Sequence, residues 1–216
     1  MKINLWSHKE EYKSIRKKIL QEVDKVFSSG RLILGNNVKS LESNFSKYLK
    51  LKYGIGVNSG TDAIQIALMS AKIGKGDEVI TVSNTAVPTI SAIVSCGARP
   101  VFVDINKYDY LIDVNKIEKV INKKTKAIIP VNLYGQCADY DKILKIAKKN
   151  KLLVIEDCAQ SVGSFYNNKP SGSFGHISAF SFYPTKNLGA YGDGGFIGTS
   201  IKSYAIRASQ LRRYGM

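Results

Sequence analysis

Three short segments carry residue types that could do chemistry together. The first is Asn58-Ser59-Gly60-Thr61-Asp62-Ala63. It follows a short apolar run and opens a stretch rich in Ala, Ile and Leu. Gly60 permits a tight turn, the first N–H groups of a helix point at one spot, and Thr61 adds a hydroxyl; together these can cradle a phosphate. Ser-Gly-Thr-Asp is also a plain helix N-cap. The second segment is Val154-Ile155-Glu156-Asp157-Cys158-Ala159-Gln160-Ser161. Two acids end an apolar run, so at least one sits in a crevice, where a carboxylate needs a cationic or strongly hydrogen-bonding partner. A protonated ring nitrogen is such a partner; helix capping at a strand exit is the simpler reading. The third runs from Ala179 to Gly195, AFSFYPTKNLGAYGDGG, and places Lys186 in a loop of glycines and hydroxyls. A Schiff base requires a lysine amine that can be neutral and held still. A lone lysine is ordinarily a solvated surface cation, and here it is the surroundings that single it out.

The elements that must position these segments alternate between helix and strand. Tyr12, Ile15, Ile19, Val23 and Val26 recur at helical spacing over 8–28, and Val38, Leu41, Phe45 and Leu49 over 37–50. Short apolar runs at 53–57, 78–82, 100–103, 126–131 and 152–155 are each followed by a turn or an amphipathic stretch. The helices are expected at 61–73, 86–96, 114–122 and 138–150. Later strands are expected at 177–182 and 195–199, with a last helix at about 201–213. Strands separated by helices imply βαβ units and a mostly parallel sheet. Ligands of such sheets bind at the carboxyl ends of the strands.

The bulk composition is that of a globular chain. Its 216 residues are 44% hydrophobic and 23% charged, enough for one domain, or one with a small appendage. No apolar run approaches the roughly 20 residues that span a bilayer, and the N-terminus lacks the apolar stretch of a signal peptide. We therefore expect a soluble, cytoplasmic protein with no membrane partner. Cys96, Cys137 and Cys158 are widely spaced, with no CxxC pair; free thiols are expected, and no metal site. The net charge of +15 is spread as pairs such as Lys17-Lys18, Lys148-Lys149 and Arg212-Arg213 on helix surfaces. Without interleaved aromatics it reads as solvated faces, not as a nucleic-acid site.

The three segments, in this order, resemble the DegT/DnrJ/EryC/StrS group of pyridoxal-phosphate (PLP) sugar aminotransferases. The likeness is nearly continuous from about Gly30 to Tyr214. It includes Gly30-Arg31-Leu32-Ile33-Leu34-Gly35, Ser59-Gly60-Thr61, Gly76-Asp77-Glu78-Val79-Ile80 and Gly97-Ala98-Arg99-Pro100-Val101-Phe102-Val103-Asp104. It continues through Leu133-Tyr134-Gly135-Gln136, Glu156-Asp157-Cys158-Ala159-Gln160 and Ser181-Phe182-Tyr183-Pro184-Thr185-Lys186-Asn187-Leu188-Gly189. The resemblance implies the α/β large domain of an aspartate-aminotransferase-like (fold type I) enzyme, a mostly parallel sheet flanked by helices, working as a homodimer. On this reading 1–30 is an N-terminal helical segment and 31–216 the PLP-binding domain.

The resemblance also implies roles. Lys186 is the Schiff-base lysine and proton shuttle, and Asp157 pairs with the pyridine nitrogen. Gln160 contacts the phenolic oxygen or the ring face. Gly60, Thr61 and Ser181 hold the phosphate. The reaction is amino transfer from an amino acid, usually glutamate, to a keto group on a nucleotide-linked sugar. Sugar dehydration on the same scaffold replaces the lysine by histidine, so Lys186 argues against it. Two positions depart from the pattern: Ala86 stands where an aromatic commonly covers the ring, leaving only an apolar contact, and Asn132 stands where histidine is common. Family members also continue beyond the equivalent of Met216 into a small C-terminal domain. The chain is accordingly expected to place PLP yet fall short of full activity, the alternative being a non-catalytic remnant that partners an intact homologue.

Overall fold

The computed structural model of the chain describes residues 6–216. The chain divides into two compact units, one ending at Leu41 and the other covering Glu42–Met216. The first carries α1 (Lys9–Ser28) and the start of α2 (Asn36–Tyr48). No residue of α1 is buried, which fits the interleaving of charged and apolar residues along it.

The second unit is built on a seven-stranded sheet. In chain order its elements are β1 (Tyr53–Val57), α3 (Gly60–Ser70), β2 (Glu78–Val82), α4 (Val87–Ser95), β3 (Arg99–Val103), α5 (Val114–Ile117), β4 (Thr125–Ile128), α6 (Tyr140–Asn150) and β5 (Leu153–Asp157). A small hairpin follows, β6 (Phe165–Tyr166) and β7 (Lys169–Pro170), then β8 (Ile177–Ser181), β9 (Gly195–Thr199) and α7 (Lys202–Leu211). The strand order is β1-β9-β8-β5-β4-β2-β3. The pairs β3/β2, β2/β4, β4/β5 and β5/β8 are parallel, and β9 runs antiparallel to both β8 and β1. One reversed strand in an otherwise parallel sheet matches the α/β architecture expected from the alternation of elements.

Both faces of the sheet are covered, so its central strands are apolar on successive residues. Val79, Ala127, Ile129, Ile155, Ile177 and Ala179 pack on one side with Ala63, Ile64, Ala67 and Leu68 of α3, Ala92 and Ile93 of α4, and Ala205 and Ala208 of α7. Their neighbours Ile80, Ile128 and Val154 face the other side, against Val114 and Ile117 of α5 and Tyr140, Ile143 and Ala147 of α6. Alanines at 63 and 67 let α3 lie close on the sheet. α6 buries one stripe and turns Lys145, Lys148 and Lys149 away from it, the pattern of an amphipathic surface helix.

Two elements differ from the sequence expectation. The run 126–131 is regular strand only to Ile128. Pro130 has no N–H to give a ladder. The chain nevertheless stays extended beside β5, with Asp157 donating its N–H to Pro130 O and accepting from Asn132 N–H at its own carbonyl. The stretch 114–122 forms a single α-turn that tightens into a 3₁₀ turn over Glu118–Val120.

Candidate active site

The carboxyl ends of β1, β2, β4, β5 and β8 meet around one cavity of about 290 Å³. That is close to the lower bound of about 300 Å³ for small-molecule pockets. Gly60, Thr61, Ala86, Asp157, Gln160, Ser181 and Lys186, the seven residues singled out in the sequence, all line it. The Lys186 side chain and the Asp157 carboxylate therefore share one crevice.

Asp157 is the last residue of β5. The two-residue period of the strand turns Ile155 and Asp157 toward α3 and α4, and Val154 and Glu156 the other way. Asp157 is 3% exposed. Its Oδ2 accepts from Thr89 Oγ1 at 2.7 Å and its Oδ1 from Ala159 N–H at 3.1 Å. Burial raises its proton affinity, while Thr89, Ala159 and the positive charge of Lys186 pull it back; burial wins, and the carboxyl titrates above its usual range. Among the described residues no lysine, arginine or histidine makes a salt bridge to it. A buried carboxylate facing a cavity without a paired cation suits a cationic ligand group.

Helix α3 aims its N-terminus into the same cavity. Ser59 caps it, accepting Asp62 N–H at 3.1 Å. The helix start lies so close to β8 that a Cβ on Gly60 would meet Ser181 Cβ at 2.7 Å. The absence of a side chain at 60 thus brings the free N–H groups of the first turn to the cavity wall, where an anion is favoured. Ser181 Oγ, at the end of β8, accepts Tyr183 N–H at 3.3 Å. The donor set fits a ligand with a phosphate at one end and a cationic ring nitrogen at the other, with Ala86, Pro88, Val131, Leu133 and Ala159 as apolar walls.

The loop bearing Lys186 is pinned at both ends. Phe182 N–H donates to Gly194 O at 2.8 Å, and Ala190 N–H to Phe182 O at 2.7 Å. Within it, Lys186 N–H donates to Tyr183 O at 2.8 Å, and Asn187 Nδ2 donates to Val162 O. Gln160 is fixed by Tyr134 N–H, which donates to its Oε1 at 3.3 Å. Tyr134 takes a left-handed conformation, φ 56°, unusual for a non-glycine residue.

Sequence reasoning passed over four polar lining residues: Thr85, Thr89, Tyr183 and Asp193. Thr85 and Thr89 lie in the segment beside Ala86, and their i, i+4 spacing in a helix start was the available signal. Asn132, for which the sequence offered no account, does not line the cavity. It is fully buried and saturated, donating to Ser171 Oγ at 2.9 Å and accepting Tyr140 O–H at 2.9 Å and Ala138 N–H at 3.0 Å.

Glu156, the other acid of the pair, clamps a loop on the far face. Its carboxylate accepts N–H groups of Gly172, Phe174 and Gly175 at 2.6–2.8 Å. Burial still pushes its carboxyl up from 4.5 to about 7. A carboxyl raised on folding binds more protons in the native state, so its contribution falls as pH rises from about 4.5 to about 7 and is constant above. The loss is about 3 kcal/mol. Denaturant titrations of the wild type and Glu156→Gln at several pH values are expected to show the wild type's relative stability declining across that window; parallel curves would count against the assignment.

The chain matches the DegT/DnrJ/EryC1/StrS aminotransferase family over residues 13–216. It belongs to that family. It is 47% identical over 212 residues to dTDP-3-amino-3,4,6-trideoxy-alpha-D-glucose transaminase of Micromonospora megalomicea, covering 98% of this chain and 57% of that protein. The crystal structure of S. venezuelae DesV, in complex with a ketimine intermediate, superposes with a TM-score of 0.96 at 38% identity, over 99% of this chain and 58% of that one. The Bacillus subtilis ntda structure with bound cofactor PMP superposes with a TM-score of 0.87 at 37% identity, over 91% and 44%. The family member described here thus spans a little over half the length of the first two relatives. Among its described residues no helix is long and apolar enough to cross a membrane.

Proposed function

We propose that residues 31–216 are the PLP-binding domain of a nucleotide-sugar aminotransferase, with glutamate as amino donor and a keto group of a nucleotide-linked sugar as acceptor. The observation that carries the reading is the shared cavity, where a lysine, a buried unpaired carboxylate and a helix N-terminus converge. The named relative acting on a dTDP sugar supports the substrate class, and the PMP-bound neighbour supports the cofactor.

When bound, PLP supplies an electrophilic carbonyl and an electron-accepting ring. Lys186 would hold the cofactor through its primary amine, which can condense with that carbonyl with loss of water, and its Nζ would hold the proton taken from the substrate carbon. Asp157 would keep a proton on the ring nitrogen through a charge-assisted hydrogen bond. Gly60 and Thr61, at the start of α3, bind the phosphate, with Ser181 beside them. Gln160 would contact the ring's phenolic oxygen or its face, and Ala86 would give the ring an apolar contact. Cytoplasmic location and a homodimer belong to the same proposal.

The test is direct. Mixed with PLP, the 216-residue chain is expected to turn yellow and, after borohydride reduction, to carry one covalent label that peptide mapping places on Lys186. No visible band, or a label scattered over surface lysines, would end the proposal.

A further inference from the structure

Thr89 sits in the first turn of α4, whose N-cap is Ala86, and it is 1% exposed. A buried threonine in a helix commonly gives its proton to a carbonyl one turn back. Thr89 instead donates across the site to Asp157 Oδ2, at 2.7 Å. A hydroxyl has one proton and two lone pairs. With its proton on Asp157, Thr89 Oγ1 must accept from Thr85 Oγ1, which lies 2.7 Å away. The two hydroxyls therefore form a chain with a fixed direction, Thr85 to Thr89 to Asp157. Ala159 N–H holds the other carboxylate oxygen at 3.1 Å, so each oxygen has one fixed donor and the plane of the group is set.

We propose that Thr89 is a positioning residue: its hydroxyl, backed by that of Thr85, holds the Asp157 carboxylate in the orientation that meets a protonated ring nitrogen in the cavity. This rests on the PLP-binding reading above. The relay keeps a second oxygen lone pair of Asp157 aimed into the crevice and resists rotation of the side chain. It links the N-terminus of α4 to the end of β5, so the register of one helix sets the geometry of one acid.

The experiment uses three variants of the full chain. Thr89→Val removes the hydroxyl at nearly constant shape, Thr89→Ser keeps it, and Thr85→Val removes only its support. PLP affinity is read by absorbance titration. The pH at which the bound chromophore changes colour is read separately. The ionisable side chains lining the cavity that bear on that pH are Asp157, Lys186, Asp193 and Tyr183. Thr89→Val is expected to weaken PLP binding about tenfold and to move the colour transition. Thr89→Ser should restore both, and Thr85→Val should shift them in the same direction by less. A merely structural role would lower thermal stability and leave the colour transition of the bound fraction where it was. That outcome, or a Thr89→Val chain with wild-type affinity and transition, overturns the positioning role and leaves the PLP reading intact. A wild-type chain that takes up no PLP overturns both.

Discussion

Lys186→Ala is expected to abolish covalent trapping of PLP and to slow amino transfer by about a hundred- to ten-thousandfold, the span commonly lost with a positioned acid–base group. The amine is the only part of the residue that the chemistry uses. Its backbone is already fixed by the turn to Tyr183 O and by the loop ends at Phe182, so alanine keeps the loop in place. Stability should change by no more than about 0.5 kcal/mol, as at half-exposed positions away from the core. Lys186→Arg sharpens the test. It retains a positive charge beside Asp157, but a guanidinium is never neutral near physiological pH and forms no such bond. If Lys186 served only to balance the Asp157 charge, arginine would preserve much of the PLP affinity and the rate. If it is the attaching amine, arginine fails like alanine. Borohydride labelling and single-turnover kinetics on the two variants separate these outcomes, and a Lys186→Ala chain still labelled at a single lysine would sink the assignment.

Much of this arrangement is legible in the residues because parallel βαβ units place their chemistry at predictable ends. Once β5 and β8 are recognised as apolar runs, Asp157 and Ser181 must stand at their carboxyl termini, facing the start of α3. What one sequence does not show is which way a side chain turns there. Glu156 and Asp157 are adjacent carboxylates of like chemistry. Only the strand's pairing decides that Asp157 enters the crevice and Glu156 grips Gly172, Phe174 and Gly175 behind the sheet. The spacing of Thr85 and Thr89 pairs those two residues but not Thr89 with Asp157, which lies 68 positions away. Asn132 reads as a family departure and is, in space, the centre of a buried polar cluster whose members come from 138, 140 and 171. The hairpin β6/β7 had a local signal that went unused. Asn167 and Asn168 both take positive φ, 47° and 61°, the requirement of a two-residue turn with asparagine at its centre. The strands on either side are two residues long, too short for any alternation to register.

The close packing of α3 against the sheet leads to a large expected effect on stability. Gly195 opens β9, paired with Val57 on one side and Ser181 on the other. A Cβ there would lie 2.1 Å from Ser59 O, 2.4 Å from Ser59 C and 3.0 Å from Gly60 N. Every one of these atoms is backbone, so no rotamer change relieves the clash. Either β9 leaves its register between two strands, or the Ser59–Gly60 turn moves and takes the N-terminus of α3 with it. Overpacking ordinarily costs about 1–3 kcal/mol where side chains can adjust; where only backbone can yield, Gly195→Ala should cost about 3 kcal/mol or more. At about 2–4 °C per kcal/mol for a chain of this size, the melting temperature should fall by roughly 10 °C. The neighbouring glycine provides the control. A Cβ on Gly194 would meet Phe182 Cβ at 3.3 Å and ring atom Cδ2 at 3.5 Å, contacts that a shift of a few tenths of an ångström relieves, and Gly194→Ala should cost about 1 kcal/mol, the low end of overpacking. The same displacement carries a functional signature. If the turn yields, the N–H groups of α3 recede from the cavity wall, and the chain should lose affinity for inorganic phosphate as well as for PLP, whereas Gly194→Ala, although Gly194 also lines the cavity, leaves the α3 N-terminus in place and keeps the phosphate affinity. Thermal melts and phosphate competition on the two alanine variants decide the matter: equal stabilities would mean that α3 does not approach β9 as closely as the geometry states, and the phosphate cradle would lose its structural cause.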